Sequence, residues 1–150
     1  MVLTQDFKEF IDALNKNNVR YLVVGGYAVA FHGHPRYTKD MDVWIHRDPG
    51  NAVKVVQALE DFGFASLGIT EEDFLASKSI IQLGYPPNRI DLLTDIEGVA
   101  FETCFAAKVL VEVDGTIANF IDLENLKKNK QATGRLQDLA DVENLSNTGK

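Results

Sequence analysis

Cysteine is almost absent: Cys104 is the one thiol in 150 residues. That excludes an internal disulfide framework and any zinc site built on several cysteines. Long apolar runs are absent as well. The longest uncharged apolar stretch, Tyr21 to Phe31, falls far short of the ~20 residues that span a bilayer, so no membrane partner is expected. The opening Met-Val-Leu-Thr-Gln-Asp has no basic region followed by an apolar one. No secretory signal is read there, and a cytoplasmic, reducing setting is expected. Positive charge is scarce. A net charge of −7 disfavours a protein that coats nucleic acid non-specifically, because neutralising phosphates needs a positive surface.

What is present is ordinary for a globular chain: 45% hydrophobic, 9% aromatic and 25% charged residues, enough to exclude a disordered or fibrous class. The length suits one domain over 1–150, with no linker-like stretch or internal repeat dividing it. Phe7, Phe10, Ile11 and Leu14 mark one face of a helix. Val19 to Val24 predicts a buried strand broken by Gly25-Gly26, and Tyr27 to Phe31 a short helix. Asp40 to His46 alternates, with Met41, Val43 and Ile45 on one face and Asp40, Asp42 and Trp44 on the other, which predicts a half-buried strand. Asp48-Pro49 starts a helix that Gly63 ends. Ser79 to Gly84 and Arg89 to Thr94 read as strands, and Gly98 to Phe105 as a helix. Val109 to Val113 and Thr116 to Ile121 flank the hairpin signal Asp114-Gly115. Helices from about residue 122, over Asp122 to Gln131 and Gly134 to Leu145, close the chain. The order predicts an α/β (α+β) fold with a mixed sheet flanked by helices.

The chemistry gathers in two places. Asp40 and Asp42, two apart on a strand, present like charges on one face beside a core. Such a pair protonates one member, pairs with cations such as Arg36 and Lys39, or binds a divalent metal with oxygen ligands. Asp91 stands mid-strand among apolar residues and offers a third acid. Gly25-Gly26 after a buried strand lets the backbone turn tightly and approach a phosphate, although the longer phosphate-loop fingerprints are missing. The second place is the run Lys127, Lys128, Lys130 and Arg135, which holds no acid. It is either a solvated helix face or a phosphate-facing one. Asp138 and Asp141, three apart on a helix, suit structural pairing with Lys130 or Arg135. His32-Gly33-His34 lacks the further partners of a zinc site, so His32 is expected to make a loop hydrogen bond. Trp44 is expected under the final helices rather than against a base, and Cys104 in the core.

Taken together, Gly25-Gly26, Asp40-Met41-Asp42 and Asp91 resemble the motif set of the nucleotidyltransferase superfamily, the fold shared with DNA polymerase beta. The stretch Gly25-Gly26-Tyr27-Ala28, His32-Gly33, Pro35-Arg36, Thr38 and Asp40-Met41-Asp42 is similar to the branch of AbiEii-like toxins and small antibiotic nucleotidyltransferases. So is the tail Asn129-Lys130-Gln131-Ala132, Gly134-Arg135, Asp138-Leu139 and Asp141. The likeness runs over residues 19 to 145.

The resemblance implies transfer of a nucleoside monophosphate from a nucleoside triphosphate, ATP among them, to an acceptor hydroxyl. It implies Asp40, Asp42 and Asp91 as catalytic residues and ligands of two magnesium ions, with manganese as a substitute. It also implies Gly25, Gly26, Arg36, Thr38, Lys130 and Arg135 around the nucleotide. The implied setting is a toxin–antitoxin or defence enzyme acting on RNA (tRNA) or protein, with a cognate antitoxin. The alternatives are an enzyme that modifies an aminoglycoside- or lincosamide-like small molecule, and a non-catalytic nucleotide-binding protein.

Overall fold

The computed structural model describes residues 4–33, 40–64, 67–85 and 88–148 of the chain. Six strands form one mixed sheet: β1 (Tyr21–Val24), β2 (Met41–Ile45), β3 (Ile80–Leu83), β4 (Ile90–Leu93), β5 (Val109–Val113) and β6 (Thr116–Phe120). Their order across the sheet is β3-β4-β2-β1-β6-β5. β2 pairs antiparallel with β1 and parallel with β4, and β1 pairs parallel with β6. The outer pairs β3/β4 and β5/β6 are antiparallel. The helices are α1 (Gln5–Lys16), α2 (Gly25–Phe31), α3 (Pro49–Phe62), α4 (Phe101–Ala106), α5 (Leu123–Thr133) and α6 (Leu136–Thr148).

Local signals set most boundaries. The Asp48 side chain accepts a hydrogen bond from Asn51 N–H at 3.1 Å, Pro49 opens α3, and Gly63 closes it. Asp122 caps α5 in the same way through Asn125 N–H, at 3.3 Å. The α1 stripe Phe7, Phe10, Ile11 and Leu14 is wholly buried. Phe10 meets Phe62 of α3 edge-on, and Phe7 meets Tyr27 of α2 edge-on. Asn51 ties α3 to the strand ends by accepting from Arg20 N–H at 2.7 Å and donating to the Arg20 and His46 carbonyls.

Four expectations change. The strand over Asp40 to His46 is buried on both faces rather than one: Met41, Val43, Trp44 and Ile45 are all in the core. The cause is position. β2 lies in mid-sheet, and α4 covers the face that alternation leaves polar. Phe101 packs edge-on to Trp44 and stacks on His46 at 4.7 Å. Trp44 therefore packs under α4 and donates its indole N–H to the Thr94 carbonyl at 3.4 Å, short of the final helices. The short helix starts at Gly25, two residues before Tyr27, so the glycine pair belongs to its first turn. The helix expected from Gly98 starts at Phe101 instead.

His32 donates from Nε2 to the Ile121 carbonyl at 2.7 Å, as expected of a loop histidine. Cys104 is fully buried in α4, where burial pushes its thiol up to about 11.

Candidate active site

The site begins with strand register. Val24 pairs with Asp42, Asp42 with Asp91, and Asp91 with Gln82. Directly paired residues point to the same face of a sheet, so these four form one row across β1, β2, β4 and β3. The row is closed by Gly25 at the end of β1, with φ of +66°. The Asp42 carboxylate packs against that glycine, and a Cβ there would fall on the carboxylate oxygen. Glycine is needed twice over, for the left-handed backbone and for the space.

Like charges in a partly dry row have an electrostatic cost. Burial, and then the neighbouring Asp91, push the Asp42 carboxyl up to about 6 from its ordinary 3.8, with Asp40 adding and Lys130 opposing. Both Asp42 and Asp91 sit where water is scarce, Asp91 being buried.

The charge of the other two acids is met by Arg89. Its Nε donates to Asp91 Oδ1 at 2.8 Å and its Nη2 to Asp91 Oδ2 at 3.1 Å. The same Nη2 lies 3.0 Å from Asp40 Oδ2. The fork is bidentate on one carboxylate and shared with a second, the geometry at which guanidinium excels. It is fixed from below, because Met41 N–H donates to the Arg89 carbonyl at 3.0 Å. Among the described residues, the second oxygen of Asp40, Oδ1, is buried with no hydrogen-bond partner.

A second charged cluster covers the row from α5 and α6. Lys130 is buried and donates to Asp138 Oδ1 at 3.0 Å, with Asp141 Oδ2 at 3.6 Å. Asp138 also accepts from Thr133 Oγ1 and from Arg135 Nε at 2.7 Å. Burial works to raise the Asp138 carboxyl, but these three partners outweigh it and hold it at about 2. α5 is brought here by Asn129, which donates to the Glu97 carbonyl at 2.9 Å. Gly98 assists: a side chain there would strike Ala132 and the Lys128 carbonyl. Between the two clusters lies a cleft of about 340 Å³ whose wall includes Val24, Gly25, Asp42, Asn129, Lys130 and Arg135.

Of the residues singled out in the sequence, Asp40, Asp42, Asp91 and Gly25 come together in and beside the row. Lys130 and Arg135 arrive at the cleft from α5 and the turn after it. Gly26 lies in the first turn of α2, outside the described cleft wall. Arg36, Thr38, Lys39 and His34 lie outside the described residues. Sequence reasoning missed Arg89. Its signal was the i, i+2 spacing to Asp91 on β4, which puts both on one face.

Among the described residues, no three carboxylate, imidazole or thiol groups converge as a ready metal cage. Arg89 stands between Asp40 and Asp91. The donor chemistry still suits a hard divalent cation: three carboxylates, oxygen ligands throughout, and one buried carboxylate oxygen left without a partner.

Solved structures with this arrangement of strands and helices decide the fold. The chain has the nucleotidyltransferase fold. One similar structure is a Thermotoga maritima protein provisionally assigned as a nucleotidyltransferase, at 17% identity and a TM-score of 0.57, over 94% of this chain and 88% of that one. A second is the lincosamide antibiotic adenylyltransferase LnuA with lincomycin bound, at 16% identity and a TM-score of 0.57, over 97% of each chain. A third is an antigenic nucleotidyltransferase-like protein from Paracoccidioides brasiliensis, at 19% identity and a TM-score of 0.56, over 97% of this chain and 78% of that one. No family model and no curated protein matches the sequence itself. Among the described residues of this nucleotidyltransferase fold, no helix is long and apolar enough to cross a membrane.

Proposed function

We propose that the protein transfers a nucleoside monophosphate from a nucleoside triphosphate to an acceptor hydroxyl. The observation that supports this best is the register of Asp42 with Asp91, closed by Gly25 and flanked by Asp40. In the reaction the acceptor oxygen forms a bond to the α-phosphorus. The bond from that phosphorus to the bridging oxygen breaks, and pyrophosphate leaves.

Asp40, Asp42 and Asp91 would hold magnesium, two ions in the full site, with manganese as a substitute. When bound, the metal neutralises triphosphate charge and makes the acceptor hydroxyl more acidic. The chain's own groups do the rest. Asp91 takes the proton of the attacking hydroxyl. Gly25 and Gly26 offer backbone N–H groups to the terminal phosphates. Lys130, Arg135 and Arg36 supply positive charge, and Thr38 meets the nucleotide. Reactions of this class are mostly positioning and charge compensation, which a rigid sheet row provides.

The acceptor we favour is RNA, tRNA in particular, or a protein. The setting is a cytoplasmic toxin–antitoxin or defence enzyme of the AbiEii-like branch, held in check by an antitoxin. The support is the motif likeness from Gly25 to Asp42 and from Asn129 to Asp141. A small cationic antibiotic is the second reading. It is favoured by the full-length likeness to LnuA and by a net charge of −7, which attracts cations.

The test uses the four NTPs labelled at the α-phosphate, with magnesium and with total RNA, total protein extract, lincomycin or an aminoglycoside. The Asp40→Ala/Asp42→Ala double variant runs alongside. Label transferred by the wild type alone establishes the reaction, and the labelled fraction names the acceptor and base. No transfer to any of them, with nucleotide still bound, would leave a binding protein and overturn the enzyme.

A further inference from the structure

Resting on the metal-dependent transferase reading, we propose that Arg89 is the resident cation of the acid row and a positioning residue that gates metal entry. It holds Asp40 and Asp91 in the metal-free protein and yields them when metal arrives with nucleotide, so that metal alone binds poorly.

The contacts carry the argument. Arg89 occupies both oxygens of Asp91 and one of Asp40. Among the described residues, the oxygens that remain are the buried Oδ1 of Asp40, which has no hydrogen-bond partner there, and the carboxylate of Asp42. Magnesium sheds water reluctantly and is usually held by one or two carboxylates together with substrate phosphates. A lone ion therefore meets a site in which Arg89 engages half of the six carboxylate oxygens, including both of Asp91. Arg89 cannot be neutralised by proton loss, so it gives way by moving and by finding another anion. A triphosphate supplies both needs, as ligands for the metal and as a partner for a guanidinium.

The charge count agrees. Among the described residues, Asp40, Asp42, Asp91, Asp138 and Asp141 face Arg89, Lys130 and Arg135. The cleft wall adds Asp95 and Glu97, so among the described residues carboxylates outnumber cations around the row, an excess that a divalent ion would reduce. Losing Arg89 without a replacement would enlarge that excess by one charge.

The experiment titrates MnCl2 into wild type, Arg89→Gln and Arg89→Lys, read by the electron paramagnetic resonance of free manganese. It is run with and without the α,β-methylene analogue of ATP. Without nucleotide, Arg89→Gln should bind manganese about tenfold or more tighter than wild type. Arg89→Lys, which cannot fork both oxygens of Asp91, should fall between them. With the analogue present, the gap should close to about threefold or less, because wild-type Arg89 has then been displaced. Melting in EDTA should show Arg89→Gln below wild type, with a larger rise on adding manganese.

The gate is overturned if both variants bind manganese no tighter than wild type without nucleotide while wild type binds it with the analogue. In that case the metal reading stands and the gate falls. No manganese binding by any of the three proteins, with or without the analogue, overturns both. Arg89→Lys keeps the test decisive should the glutamine variant fail to fold.

Discussion

Asp42 is the residue on which the charge of the row turns. Its carboxyl sits at about 6 against 3.8 in a free chain, through burial first and Asp91 second. As pH falls from about 6 towards 4, the folded protein takes up a proton that the unfolded chain does not yet hold. The metal-free protein therefore gains stability on acidification across that window and loses it as pH rises back through 6. The size is on the order of 2–3 kcal/mol. Asp42→Asn should remove that step: in EDTA it should be more stable than wild type at about pH 7.5 and nearly equal at about pH 4.5. Urea melts at the two values check this. A variant less stable than wild type at the higher pH would mean that the row is better compensated than its geometry indicates.

At the scale of elements, α5 and α6 are joined by charge more than by oil. The inward face of α5 buries Asn125, Asn129 and Lys130 beside a single large apolar residue, Leu126. Asp138 of α6 meets that lysine with both partners almost dry. Asp138→Ala should cost about 3 kcal/mol, because it strands Lys130 beside Asp141 alone. Lys130→Met combined with Asp138→Asn should cost less than the sum of the singles, since the uncompensated charge goes with the pair. Denaturant melts of the four proteins measure the coupling, and strict additivity would mean that the pair does not hold the helices together.

This face also shows what sequence can and cannot disclose. Helices and strands bounded by caps, hairpin turns and apolar periodicity, such as α1, α3 and the β5/β6 pair, were legible because those signals are local. Gly25, Asp40, Asp42 and Asp91 were legible through spacing that a strand makes meaningful. The pairing of Lys130 and Arg135 with Asp138 and Asp141 was legible from their spacing, whereas the burial of Lys130 was hidden, because a polar face reads as solvated until a partner helix is placed against it. The grip of Arg89 on Asp40 was hidden for another reason. It depends on the parallel register of β2 and β4, which are separated by all of α3 and β3, and no local pattern encodes that register.

Across the whole molecule, the acid row sits at the end of β1 and the start of β2, in mid-sheet, where the cleft lined by Gly25, Asp42 and Lys130 opens onto it. The same enclosure has a practical consequence at the far side of that layer. Cys104 lies at no measurable exposure in α4, and its thiol is held at about 11. At neutral pH it is both hidden and almost entirely protonated, and a buried thiol of this kind is chemically inert. The chain thus carries one built-in clock. A disulfide reagent such as 5,5′-dithiobis(2-nitrobenzoate) should leave the native protein unmodified and then release one chromophore per chain at the rate at which α4 lifts from Trp44. Because Trp44 lies two residues along β2 from Asp42, the pace of that colour change would report how firmly the floor of the acid row is held.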